Sequence, residues 1–135
     1  MIRKIDSKDN IVQILEFQHD ISCIMNCSIG EWAQVLMRIV ENEKFLILGS
    51  YENDKLVGYI VLRNNISPPV SNNVRVVFAY LEKTSDEDMK EIVNVTTNWG
   101  KSINADSITV LCKKVDRYIK YGFIETGIVS MEMKI

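Results

Sequence analysis

Residues 74–106 read VRVVFAYLE, then KTSDED, then MKEIVNVTTNWGKSINAD. The first piece is a continuous apolar run rich in Val and aromatics that ends in charge, the pattern of a strand buried on both faces. The last piece sets Met89, Ile92, Val93, Thr96, Trp99 and Ile103 at three- and four-residue steps, which is one face of a helix. Between them Ser85 or Asp86 can cap the helix, and Asp86, Glu87 and Asp88 fill a first turn that favours negative charge. The stretch therefore predicts a central strand, a tight turn, and a helix over about residues 86–104 that packs back on the sheet with Trp99 largely buried. Such a strand-to-helix junction is a common ligand site in α/β proteins. This chain fills it with carboxylate.

Upstream, Ile2 to Ile5 alternate as a short edge strand would. Ser7 and Asp9 then precede a helix whose stripe is Ile11, Ile14, Leu15 and Ile21, with Phe17 and Gln18 beside it. A second helix begins at Ser28, with Glu31 in the capping-box position and Trp32, Val35, Leu36, Ile39 and Val40 expected inward. KFLILGSY and LVGYIVLR flank the turn Glu52-Asn53-Asp54-Lys55 and predict an antiparallel hairpin inside the sheet. Residues 64–73, with Pro68-Pro69 among Asn and Ser, read as a long loop that would border a site. Downstream, SITVLC at residues 107–112 predicts a strand parallel to the central one. Residues 115–121 predict a short helix ended by Gly122, and residues 123–135 an extended segment that closes the sheet.

The composition suits one globular domain spanning residues 1–135: 47% hydrophobic, 25% charged, net charge −2. That charge argues against nucleic acid as a partner. No apolar run approaches the ~18–20 residues of a membrane span, and the charged start is not followed by the apolar core of a signal peptide. Three cysteines, Cys23, Cys27 and Cys112, form no disulfide framework and suit a reducing, cytoplasmic setting.

In its order of elements the chain resembles the GNAT acetyltransferase superfamily over essentially its whole length. Met1-Ile2-Arg3-Lys4 with Ser7 to Ile11 is similar to that family's first strand and helix start, and Leu56-Val57-Gly58-Tyr59-Ile60 to its third strand. The most specific match is Tyr118-Ile119-Lys120-Tyr121-Gly122-Phe123, a Tyr four residues before a Gly-Phe pair. The resemblance implies an α/β fold with a GNAT-like mixed, mostly antiparallel central sheet flanked by helices. It implies acetyl-CoA as acyl donor, its pantetheine arm on Phe78, Ala79, Tyr80 and Leu81, and an amine acceptor, small molecule or protein. Tyr118 would protonate the departing thiolate. Glu82 is the best-placed carboxylate for a general base, and no neighbour in sequence marks it for that role.

The family's pyrophosphate turn, Gln/Arg-x-x-Gly-x-Gly/Ala, falls by spacing on residues 84–89. Thr84 takes the Gln/Arg position with Ser85 beside it, and Glu87 and Met89 stand where glycines would let backbone N–H groups approach phosphate. Side chains there, and three carboxylates, predict weak acetyl-CoA binding or none. The Asn that the family often has upstream of its Tyr is also replaced, by Leu111 and Cys112.

Other candidates have plain structural readings beside functional ones. Tyr118 is equally an amphipathic helix residue with a packed ring. Asp86, Glu87 and Asp88 are first a well-capped helix start. His19, Cys23 and Cys27 share one face only if a single helix runs through them, no fourth ligand is near, and no metal is expected. Lys113-Lys114, Arg117 and Lys120 form a basic cluster that would receive an adenosine phosphate or simply face water. Three functions stay open: an acyl-CoA-dependent N-acyltransferase, a GNAT-like binding or assembly module that has lost its cofactor, and a ligand sensor. A homodimer is open to any of them.

Overall fold

The structure, a computed structural model, describes residues 1–21, 27–67, 69, 71–112, 116–127 and 131–134. Its elements run β1 (Ile2–Lys4), α1 (Lys8–Ile21), α2 (Ile29–Ile39), β2 (Phe45–Glu52), β3 (Lys55–Ser67), β4 (Ser71–Tyr80), α3 (Asp86–Ser102), β5 (Ser107–Thr109) and α4 (Asp116–Ile119). The strands form one sheet in the order β1-β2-β3-β4-β5, antiparallel except for the parallel β4–β5 pair. The mixed, mostly antiparallel sheet and the buried position of the β2–β3 hairpin are as expected. Asn53 and Asp54 at its turn both have positive φ (51° and 61°), the backbone a two-residue hairpin with right-handed twist needs.

Alternation in β2 and β3 divides the core between the two faces of the sheet. On one face Ile47, Tyr51, Leu56, Tyr59 and Val61 pack against Ile11, Ile14 and Phe17 of α1 and Trp32, Leu36 and Ile39 of α2. On the other, Leu46, Leu48, Ile60, Leu62 and Val74 pack against Met89 and Ile92 of α3. α1 turns Phe17 and Gln18 fully inward and leaves Leu15 half-buried; the side chain of Ile21 lies outside the described ones. Val35, expected inside, is 41% exposed, because the stripe of α2 is narrower than its apolar pattern. Ser28 caps α2, its Oγ accepting the Glu31 N–H at 3.1 Å. Ser85 caps α3 in the same way, through the Asp88 N–H at 3.1 Å.

The expected loop at residues 64–73 is instead mostly strand. Asn65 pairs with Asn73, Ile66 with Asn72 and Ser67 with Ser71. Asn65 Nδ2 donates to Asn73 Oδ1 at 3.0 Å, so a cross-strand side-chain hydrogen bond offsets the poor strand propensity of Asn. Pro69 sits in the turn, and Pro68 lies outside the described residues. β4 is not buried on both faces: Val77 is 48% exposed, since β5 reaches only Thr109 and stops short of Cys112. Trp99 is only partly buried; it leans on the α3-side core and walls a cavity of about 230 Å³ with Ile5 and Asn42. Residues 123–127 and 131–134 form no strand and do not close the sheet. Ile124, Met131 and Met133 are 84–92% exposed, so no partner strand draws their apolar pattern inward.

Candidate active site

The β3–β4 register slips between Val61 and Leu62: Leu62 faces Val76, Val61 faces Phe78, and Val77 is the extra residue of a bulge. A bulge bends and twists its strand. Immediately before it, at Arg75, the pairing of β4 with β5 ends. From Val76 to Tyr80 the β5-facing edge of β4 has no strand partner among the described residues. A cleft of about 430 Å³ opens there, between residues 76–82 on one wall and Val110, Leu111, Cys112, Arg117 and Tyr118 on the other.

Of the ten residues expected to serve catalysis or hold the cofactor, six thus line one cavity: Phe78, Ala79, Tyr80, Leu81, Glu82 and Tyr118. Tyr118 is half-buried on α4, its ring edge-on to Phe123 with centroids 5.6 Å apart. Burial pushes its phenol above the ordinary value, Cys112 acts in the same direction, and Arg117 opposes both. Gly122, at φ +94°, ends the short helix and turns Phe123 back under Tyr118. Glu82 is exposed at the rim. Among the described residues of 64–73, the expected border, none lines this cleft, because residues 64–67 and 71–73 pair in the β3–β4 hairpin.

The other four residues, those of the turn, lie elsewhere. Ser85 is the α3 cap, Glu87 is exposed, and Met89 is 3% exposed in the core. Thr84 packs over Gly58, where an added Cβ would come within 2.8 Å of Thr84 Oγ1 and 2.7 Å of the Tyr80 carbonyl oxygen. Gly58 is therefore what lets the end of β4 lie flat on β3.

The carboxylates of this turn are largely compensated. Asp86 accepts from Tyr121 Oη at 2.6 Å and from Lys120 Nζ at 2.8 Å, with Lys90 Nζ at 3.3 Å. The Lys120 bond, then Tyr121 and Lys90, hold the Asp86 carboxyl well below the usual carboxylate range despite slight desolvation; the same contact raises Lys120 and Tyr121. Asp88 accepts from Ser50 Oγ at 2.7 Å and from the Met1 amine at 2.9 Å. Burial raises the Asp88 carboxyl, but these two donors outweigh it and leave its pKa lowered. The repulsion expected of three bare acids is absent for two of them.

No group of three His, Cys, Asp or Glu side chains able to hold a metal occurs among the described residues. His19 is exposed and Cys27 half-buried, while Cys23 lies outside the described residues, as do Lys113 and Lys114 of the basic cluster. The sequence does not show the bulge at Val77, nor that Leu111, Cys112 and Arg117 stand together as the wall facing β4. Nothing in VRVVFAY marks which Val is the extra one.

The cleft and its sheet order can be set beside solved structures. A predicted acetyltransferase from Clostridium acetobutylicum, solved with acetyl-CoA, superposes with a TM-score of 0.76 at 19% identity over 99% of this chain and 95% of its own. An aminoglycoside 6′-N-acetyltransferase from Acinetobacter haemolyticus gives 0.73 at 15% identity, over 100% of this chain and 99% of its own. The chain has the GNAT fold. A further GNAT structure, an aminoglycoside 6′-acetyltransferase bound to a bisubstrate analogue of coenzyme A and acetylneamine, gives 0.76 at 11% identity over 100% of this chain and 97% of its own. No family model matches the chain, and no curated protein matches its sequence. No described helix is long and apolar enough to cross a membrane.

Proposed function

We propose that the protein is an acyl-CoA-dependent N-acyltransferase, working as one domain over residues 1–135, with a small-molecule amine as acceptor. The observation that carries this reading is the bulged, unpaired edge of β4 facing Tyr118 across the cleft. A free strand edge offers alternating N–H and C=O groups to any extended, amide-bearing ligand. The pantetheine arm of acetyl-CoA is such a ligand, and Phe78, Ala79, Tyr80 and Leu81 would hold it. The aminoglycoside enzymes among the similar structures favour a small-molecule amine over a protein acceptor.

Bound acetyl-CoA supplies an activated acyl carbon and a thiolate leaving group. Tyr118 holds a proton on its phenol oxygen at the cleft wall, kept there by burial, and gives it to the departing sulfur. Glu82 at the rim accepts the proton the attacking amine loses.

The turn still lacks its glycines, and that favours the second reading, a GNAT-fold binding module or sensor without acetyl-CoA. Calorimetric and thermal-shift titration with acetyl-CoA separates the two. Ligand at a hundredfold over Kd raises stability by about 2.7 kcal/mol; no shift at millimolar ligand moves the assignment to the module. The useful companion is Glu87→Gly alone, because Met89 is core and its truncation would also open a cavity beneath α3.

A further inference from the structure

Among the described residues, Arg117 and Glu82 are the charged ones in the wall of the cleft. Glu82 is exposed at the rim, whereas Arg117 is half-buried. From α4 its Nη2 donates to the carbonyl oxygen of Leu81, just past β4, and lies 3.8 Å from the sulfur of Met89 in the first turn of α3. The guanidinium therefore stands between the end of β4 and the start of the helix. Both contacts use one nitrogen of a group that carries five N–H donors. Among the described residues Arg117 has no carboxylate partner. Asp86, the nearest candidate by element, is already taken by Lys120, Lys90 and Tyr121, and Asp88 by Ser50 and the Met1 amine. A half-buried guanidinium without a counter-ion, on the wall of an open cleft, is a site waiting for an anion.

We propose that Arg117 binds the phosphate groups of the acyl donor, supplying from α4 the charge and hydrogen bonds that the glycine-free turn at residues 84–89 does not. This rests on the reading of the cleft as an acyl-CoA site. A guanidinium fork reaches phosphate oxygens bidentately across its own side-chain length. It does not need the close backbone approach that Glu87 and Met89 obstruct. Arg117 thereby makes the site specific for donors that carry phosphate, and the neighbouring Tyr118 stays with the sulfur.

The test is calorimetry on the full chain with coenzyme A, dephospho-coenzyme A and pantetheine, for the native protein, Arg117→Gln and Arg117→Lys. Loss of a charge-assisted bond pair should weaken coenzyme A by about tenfold to a hundredfold in Arg117→Gln. Pantetheine should stay within about twofold, and Arg117→Lys should fall between. Dephospho-coenzyme A behaving like coenzyme A assigns the pyrophosphate to Arg117; behaving like pantetheine, it assigns the 3′-phosphate. An equal loss for coenzyme A and pantetheine, or no loss for either, overturns the role of Arg117 while the cleft reading stands. Native protein that binds neither ligand overturns both. If Arg117→Gln does not fold, competition in the native protein decides: inorganic pyrophosphate should displace coenzyme A and leave pantetheine bound, and displacement of neither sinks the proposal.

Discussion

Tyr118 is the residue on which the chemistry turns, and it separates catalysis from packing. Tyr118→Phe keeps the edge-on contact with Phe123 and removes only the transferable proton. Turnover should fall by roughly 10²-fold or more, with acetyl-CoA affinity and melting temperature nearly unchanged; matching losses of stability and turnover would make it a packing residue. Burial raises its pKa, so the phenol keeps its proton past the ordinary value of about 10, and the alkaline limb of kcat should lie above that pH. Asp88 is the acid-side counterpart. Its side chain is only 13% exposed and its folded pKa is depressed. Its stabilisation is therefore present above the unfolded value of about 3.9 and lost as pH falls through the folded one. Asp88→Asn should flatten the acid limb of a stability–pH curve, and Ser50→Ala should do so in part. Gly58→Ala meets the Tyr80 carbonyl oxygen and the Thr84 hydroxyl and should cost on the order of 1–3 kcal/mol by overpacking, read as a lower urea midpoint.

At the scale of elements, α1, α2 and β3 are joined by a buried polar chain. Trp32 Nε1 donates to Tyr59 Oη at 3.1 Å, and Tyr59 Oη donates to Gln18 Oε1 at 2.7 Å. Tyr59 also stacks on Phe78 and meets Phe17 edge-on, so this network backs the strand that lines the cleft. Tyr59→Phe leaves a buried donor and a buried acceptor unpaired and should cost about 1–3 kcal/mol in denaturant unfolding. Adding Gln18→Leu should recover part of that loss, because one orphan is removed; no recovery would mean the network is not what the hydroxyl supports. The helix starts could be read from the chain itself, since Ser28 and Ser85 each sit three residues before the N–H they cap. The hairpin at Asn53-Asp54 was equally legible. Residues 64–73 were not, because Asn and Pro argue for loop one residue at a time, while pairing between Asn65 and Asn73 exists only once two strands meet.

For the whole molecule, the sheet is firm at its centre and open along one line. β2 and β3 are buried from both faces, and their amides should exchange slowest with solvent deuterium. The β5-facing amides of residues 76–80 should exchange among the fastest in the sheet and slow on adding acetyl-CoA; unchanged exchange there with ligand bound would place the ligand elsewhere. By itself the sequence determined the order of elements as far as α4, the helix caps, the hairpin, the parallel return of β5 and the identity of the residues along β4. Those follow from periodicity and capping, which act within a few residues of each other. The tertiary structure alone decided the bulge at Val77, the early end of β5, the pairing of Asp86 with Lys120 and Tyr121 and of Asp88 with Ser50, and the place of Arg117. The partners concerned are far apart in the chain, 38 residues for Ser50 and Asp88 and 36 for Arg117 and Leu81. A register slip or a long-range ion pair is chosen by what the folded surfaces bring together, and no local pattern encodes it.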